Sequence, residues 1–340
     1  MTDVISFPGL GLEFEINRVA LSLGSIDIYW YAVLIATGFM LAMLFAFKNA
    51  KRFGIDGDRI VDVIFFAMIL GIIGARAYYV AFQWDMYKDN LAEILNIRGG
   101  GLGFYGGIIG GVLGLIIGCK VRGQKILPFL DLAGGAVLIG QGIGRWGNFV
   151  NSEAFGCNTN LPWGMTSPKI AAYIARHSEE TMGAVMDPSL PVHPTFFYES
   201  LWCAIGLLVF CCVMKKRKFD GQMFLFYLGW NGFGRMLIEG LRTDSLMIGP
   251  FRISQLLGAL MFIFAVCAFG AAMKFLKSEN KPEWLGIFVE TEKGKLVSEG
   301  KWDYKNNCEK AKVTEETETG ETEETEEKTE TEEAEDGNDN

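Results

Sequence analysis

Histidine is almost missing from this chain: His177 and His193 are the only two in 340 residues. The seven cysteines stand singly, apart from Cys211 and Cys212, and no C-x-x-C spacing occurs. That pattern supports neither a zinc site nor a disulfide framework. The cysteines fall mostly in apolar stretches and read as buried apolar side chains; no metal or other cofactor is expected. The two histidines read as surface or capping residues, and Pro194 after His193 suits the first turn of a helix. Residues 1–26 carry neither a basic leader nor a cleavable apolar run, so no signal peptide is expected. The first apolar span is expected to serve as its own insertion signal.

Apolar residues are what the chain has in abundance. Half of it is hydrophobic, and mean hydropathy is positive despite a very acidic end. That composition belongs to membrane proteins. The net charge of −9 conceals an asymmetry. Residues 314–340 hold fourteen Asp or Glu and one Lys, so everything before them is net positive. A Thr/Glu stretch without apolar residues cannot bury a core, so this tail should be disordered and solvated. Residues 279–313 are too polar to span a bilayer and read as a cytosolic appendage.

Runs of bilayer-crossing length, roughly 20 residues each, lie near 27–47, 60–82, 101–119, 128–148, 195–214, 222–241 and 251–275. The expectation is an all-α integral membrane protein with seven transmembrane helices. Basic residues fill every second linker: Lys48, Lys51, Arg52 and Arg59; Lys120, Arg122 and Lys125; Lys215 to Lys218; then Lys274 and Lys277. The positive-inside rule then puts the N-terminus outside and the acidic disordered tail in the cytoplasm. Residues 1–278 form the membrane domain, with 149–194 as an external segment and 279–340 as the cytoplasmic tail.

Orientation gives each polar residue a depth. Arg76, Arg145, Arg235 and Glu239 fall in the outer portions of outgoing spans. Tyr29, Trp30, Tyr31, Tyr105, Tyr198 and Glu199 lie near the outer starts of ingoing ones. Only Asp62 and Asp131 clearly sit at the inner end. A guanidinium at membrane depth is costly and is usually paired or functional. Arg235 and Glu239 are four apart, on one helix face. Arg145 is followed by Asn148, Asn151 and Glu153. An arginine held by a carboxylate still has donors for a phosphate, so the two arginines read as a clamp for a phosphate-like anion. The glycines of 99–114 recur at spacings that let helix backbones approach closely. Two other classes stay in view: a transporter, which would also place arginines among helices, and a non-catalytic membrane scaffold whose acidic tail recruits cytosolic partners. A transporter needs access from both leaflets, and the inner halves of these spans are poor in polar groups.

Five stretches, GRWGNFVNSE (144–153), HPTFFYES (193–200), GRMLIEGLRTDSL (234–246), YWYAVLIATGF (29–39) and GGGLGFYGG (99–107), resemble the bacterial prolipoprotein diacylglyceryl transferase family. The resemblance covers residues 8–277 in the same order. It implies a seven-span plasma-membrane enzyme that moves the diacylglyceryl group of phosphatidylglycerol onto the lipobox cysteine of a preprolipoprotein, releasing glycerol 1-phosphate. The partners implied are that lipid and that signal peptide in a bacterial membrane, with no nucleic acid and a monomeric enzyme. The nucleophilic thiol comes from the substrate, which suits a chain without a well-placed cysteine.

Residue by residue, Arg145, Asn148, Asn151 and Glu153 match the signature, and Glu199 matches the glutamate closing the P-x-x-x-Y-E motif. Arg235 and Glu239 match the sixth-span pair, and Tyr31 the tyrosine near the first span's start. Asp131 matches by spacing, but its depth suggests a structural role. Tyr105 stands where many members carry a histidine, and Asn231 where they carry a tyrosine. The resemblance thus implies a catalytic set of Arg145, Arg235, Glu239, Tyr105 and Glu199. The lipid-binding set is Arg145, Asn148, Asn151, Glu153, Arg235 and Tyr31. Tyr105, Glu199 and Glu153 all stay open as acceptors of the thiol proton.

Overall fold

The computed structural model describes residues 2–24, 26–97, 100–177, 186–243, 247–248, 251–278, 282–304 and 307–310. The tail expected to be disordered from 314 lies outside them. Residues 1–300 cluster into one compact unit and residues 301–340 into a second. In the second unit, the described strands β7 (Trp302–Asp303) and β8 (Cys308–Glu309), numbered in chain order with those below, pair antiparallel.

The first unit is built mainly from helices: α1 (Trp30–Phe53), α2 (Ile60–Phe82), α3 (Trp84–Tyr87), α4 (Phe104–Val121), α5 (Ile126–Asn151), α6 (Pro168–His177), α7 (Thr195–Val213), α8 (Gln222–Ile238), α9 (Ile253–Leu276) and α10 (Glu292–Ser298). Among the described residues six helices are long and apolar enough to cross a membrane: Trp30–Phe53, Gly57–Phe82, Phe104–Val121, Ile126–Asn151, Thr195–Lys216 and Ile253–Leu276. The run read as a sixth span, 222–241, forms the 17-residue α8 and then a 3-10 turn, Glu239–Leu241.

Short strands flank this bundle. β1 (Thr2–Phe7) pairs with β2 (Leu12–Asn17), β3 (Val19–Leu23) with β4 (Ile26–Tyr29), and β5 (Met247–Ile248) with β6 (Phe251–Arg252), all antiparallel. The run Leu12-Glu13-Phe14-Glu15-Ile16-Asn17 alternates apolar and polar residues, the period of a half-covered strand.

Glycine sets the helix approaches. A Cβ at Gly106, Gly110 or Gly114 of α4 would collide with backbone oxygens of Gly74, Leu70 and Phe66 on α2. These small residues, one per turn, let the two backbones touch, as their spacing suggested. Between α7 and α8 the device is aromatic. Trp202 and Trp230 stack at 4.4 Å, each indole nitrogen donating to the other's backbone oxygen at 2.9 Å. Gly206 lies under Trp230 and Gly234 under Trp202. Replacing a helical glycine with alanine ordinarily stabilises by about 1 kcal/mol. Gly206→Ala should instead destabilise by about 1–3 kcal/mol, because its methyl would run into Trp230 Nε1, the atom that donates to Trp202 O. Thermal unfolding in detergent checks the sign; an unchanged or raised Tm would refute the clamp.

The ends where α1, α4, α7 and α9 begin and α2, α5 and α8 finish gather at one end of the bundle. Gly74 meets Gly106 there, Tyr31 covers Gly147, and Gly258 meets Gly232. At the opposite end Asp131, fully buried, accepts from Gly221 N and Phe224 N, both at 2.8 Å, and so caps the start of α8. Residues 285–290 close over that end. Leu285 is buried with Phe219 and Ala272, and Phe288 N donates to Asp220 at 2.8 Å.

Candidate active site

Glu199 organises the first end of the bundle. It sits at the fifth position of α7, 7 % exposed, and three arginines converge on it. Arg145 Nε, from the last turns of α5, pairs with Oε2. Arg235 Nη1, from the end of α8, and Arg242 Nη1, just beyond it, reach Oε1 at 3.2 and 3.3 Å. Arg235 Nη1 also pairs with Glu239 Oε2 at 2.9 Å, the i,i+4 contact expected from sequence. Among the described ion pairs, three guanidiniums thus face two buried carboxylates, a cationic cluster suited to an anionic ligand.

Local structure explains how the groups arrive. The Trp202–Trp230 pair joins α7 to α8 one turn from Glu199 and Arg235. The close approach of Gly232 and Gly258 brings α9 against the same turn. Arg252 Nη1 donates to the Glu239 backbone oxygen, and Gln255 Nε2 donates to Met236 O at 2.9 Å. The chain after α8 is pinned to the segment after α5, where Cys157 N donates to Leu241 O at 2.8 Å and Gly156 bridges Arg242. Arg242 was not singled out from the sequence. It lies beyond the apolar run, where an arginine is ordinary, and only this bridge returns it to the site.

The arginines are anchored but not used up. Arg145 gives only Nε to Glu199, and Arg235 only Nη1 to its two carboxylates. Arg145 Nη1 and Nη2 and Arg235 Nη2 thus have no protein acceptor among the described residues. Their side chains are 22 % and 27 % exposed, so those donors can be reached.

The partner of Arg145 differs from the one its own motif suggests. Helix α5 ends at Asn151, Ser152 adopts a left-handed backbone with φ 51°, and the chain turns away. Glu153, exposed, therefore meets Asn148 Nδ2 at 3.2 Å and Asn151 Nδ2 at 3.3 Å instead of Arg145. Lys169 Nζ of α6 donates to Asn151 O, and Ser152 Oγ donates to Asp3 at 2.6 Å, tying β1 to this turn. The Tyr31 ring covers Gly147, next to Asn148, because no side chain fills that space.

Two other expected residues make contacts of their own. Tyr105 packs between the rings of Tyr78 at 6.4 Å and Phe104 at 5.8 Å, and these are its described ring contacts. Tyr105→Phe is therefore expected to leave transfer within about twofold of the parent, since no hydrogen bond of the phenol is lost; a loss beyond tenfold in the same assay would return it to the chemistry. Arg76, buried, donates to backbone oxygens of Glu93, Ile94, Gly100 and Gly101 at 2.6–2.9 Å. It holds the loop before α4. His193 shares a 3.1 Å hydrogen bond with the Tyr198 hydroxyl, which Trp163 Nε1 also contacts at 2.8 Å. Burial holds this imidazole below its usual pKa, which favours its neutral form.

A family model described as prolipoprotein diacylglyceryl transferase matches residues 18–270. The chain belongs to this family. Its curated relatives include proteins named phosphatidylglycerol–prolipoprotein diacylglyceryl transferase. The one from Finegoldia magna is 45% identical over 251 residues, covering 74% of this chain and 93% of the relative. The one from Clostridioides difficile is 40% identical over 265 residues, covering 78% and 97%. The one from Bacillus cytotoxicus is 39% identical over 259 residues, covering 76% and 92%. The Glu199 cluster lies entirely within the stretch matched by the diacylglyceryl transferase model.

Proposed function

We propose that this chain transfers the diacylglyceryl group of phosphatidylglycerol to the lipobox cysteine thiol of preprolipoproteins, forming a thioether and releasing glycerol 1-phosphate. The observation that carries the reading is the Glu199 cluster, with arginine donors left over at one end of a membrane-spanning bundle. In the reaction the cysteine sulfur bonds to the glyceryl carbon as that carbon's bond to the phosphate oxygen breaks. The lipid phosphate gains one negative charge as it leaves. Donors fixed in place before the reaction, in a poorly hydrated site, stabilise such developing charge. Arg145 and Arg235 hold the phosphate, Arg242 adds to their field, and Glu199 and Glu239 keep the guanidinium forks oriented. Asn148, Asn151 and Tyr31 line the approach along the end of α5.

The thiol has to lose its proton, because the thiolate is the nucleophile. Glu199 is enclosed by three guanidiniums and serves as their anchor. Glu153, exposed and held by the amides of Asn148 and Asn151, is the carboxylate that is not spent on an arginine, and we assign the thiol proton to it. In the membrane we read α8 as a seventh span, with the N-terminus and residues 149–194 outside, the C-terminus cytoplasmic and the site facing the external leaflet. The basic linkers support this orientation. Residues 1–278 act as the catalytic membrane domain, and 279–340 as a cytoplasmic appendage to a monomeric enzyme.

Incubating the purified protein with phosphatidylglycerol and a lipobox peptide tests the reading. A diacylglyceryl addition on the cysteine, seen as the peptide's mass, is expected. No addition, where a curated relative works under the same conditions, would sink it.

A further inference from the structure

Below the arginines the bundle holds a polar pair that the chemistry above leaves unused. Gln141 lies four residues before Arg145 on α5, and Tyr227 eight residues before Arg235 on α8. At 1.5 Å per residue these are about 6 and 12 Å deeper along the faces that carry the arginines. Gln141 Nε2 and the Tyr227 hydroxyl meet at 3.2 Å. Their surroundings are apolar. Tyr227 packs over Gly134 and stacks with Phe224, and Cys203 packs over Gly142.

The pair does not satisfy itself. Gln141 Oε1 is buried with no hydrogen-bond partner. The Tyr227 hydroxyl accepts from the amide and has no acceptor for its own proton among the described residues. Turning the amide round lets the hydroxyl donate to Oε1, but then the amide NH₂ lacks an acceptor. In both orientations at least one donor group is left without an acceptor in a largely apolar interior, a state that native proteins rarely keep without a further partner.

A bound glycerophospholipid supplies such a partner at that depth. Five bonds separate its phosphorus from an ester carbonyl carbon, a span of about one helical turn. With the phosphate at Arg145 and Arg235, an ester oxygen falls at the level of Gln141, whose amide meets the Tyr227 hydroxyl. We propose that this pair donates a hydrogen bond to an ester carbonyl of the lipid, fixes how deep the glyceryl carbon sits, and selects diacyl over dialkyl lipids. The inference rests on the phosphate-clamp reading above. Gln141 and Tyr227 are positioning residues: they touch no reacting atom and act through the depth of the lipid.

The test compares diacyl phosphatidylglycerol with its dialkyl ether analogue of equal chain length, which keeps the headgroup and loses the carbonyls. The wild-type protein should prefer the diacyl lipid about fivefold to tenfold in kcat/KM, the range of one hydrogen bond. The double variant Gln141→Leu, Tyr227→Phe should bring that ratio to about one, and the single variants show which group donates. A purely structural role would slow both lipids equally and leave the ratio untouched. A wild-type ratio of one, or a double variant that keeps the wild-type ratio, overturns the proposal. The wild-type arm needs no variant to fold. Failure of the underlying reading is distinct: the wild-type protein would then transfer from neither lipid.

Discussion

Glu199→Gln is expected to abolish transfer and to lower stability together, with the stability partly recoverable. The substitution keeps the shape of the side chain and removes its charge. Arg145, Arg235 and Arg242 would then share a buried space with Glu239 as the one remaining anion among the residues that pair there. Removing one partner from a buried ion pair costs about 3–5 kcal/mol, because the other charge stays buried without compensation. The forks that should meet the phosphate would also lose their alignment, and a loss of at least about 10²-fold in transfer is expected. Adding Arg242→Gln restores the charge excess of the parent. It should recover part of the lost Tm while transfer stays absent. Thermal unfolding and the peptide mass assay, run on the same preparations, separate the two effects. Near-parental transfer by Glu199→Gln alone would show that the cluster is only a helix lock.

How much of this was legible in the sequence depends on how far each contact reaches. Arg235 and Glu239 share a helix face, so spacing alone identified the pair. Arg145 and Glu199 stood out because charged groups at membrane depth are rare, and motif resemblance reinforced both. Their mutual contact was not legible, since α5 and α7 are joined through tertiary packing. The nearest carboxylate in sequence, Glu153, drew attention instead. The left-handed turn at Ser152 sends it elsewhere, and a single backbone angle at a serine leaves no pattern to read. Arg242 was hidden for the opposite reason, an ordinary residue in a polar stretch made special by a strand-like bridge to Gly156. The glycine run of α4 pointed to close packing, whereas the Trp202–Trp230 clamp needed both helices in place before it could be seen. The hairpins before α1 were readable from their alternation, which the longer apolar runs overshadowed.

Arg145 separates charge from geometry at the proposed clamp. Arg145→Ala removes one arm and leaves Glu199 with two arginines, so the fold should persist and the protein should insert normally. Transfer should fall by about 10²–10³-fold, equivalent to about 3–4 kcal/mol of lost transition-state stabilisation. Arg145→Lys is the sharper variant. Lysine keeps the positive charge, yet its single ammonium cannot bridge Glu199 and a phosphate as a planar fork does. A field effect alone would let lysine rescue most of the activity. A bidentate role predicts that Arg145→Lys stays more than about tenfold below the parent, with kcat falling more than KM rises, because the lost contacts strengthen as the phosphate takes on charge. Initial rates across a range of phosphatidylglycerol concentrations decide between them. Full rescue by lysine would keep the arginines as a positive field and remove the fork geometry from the mechanism.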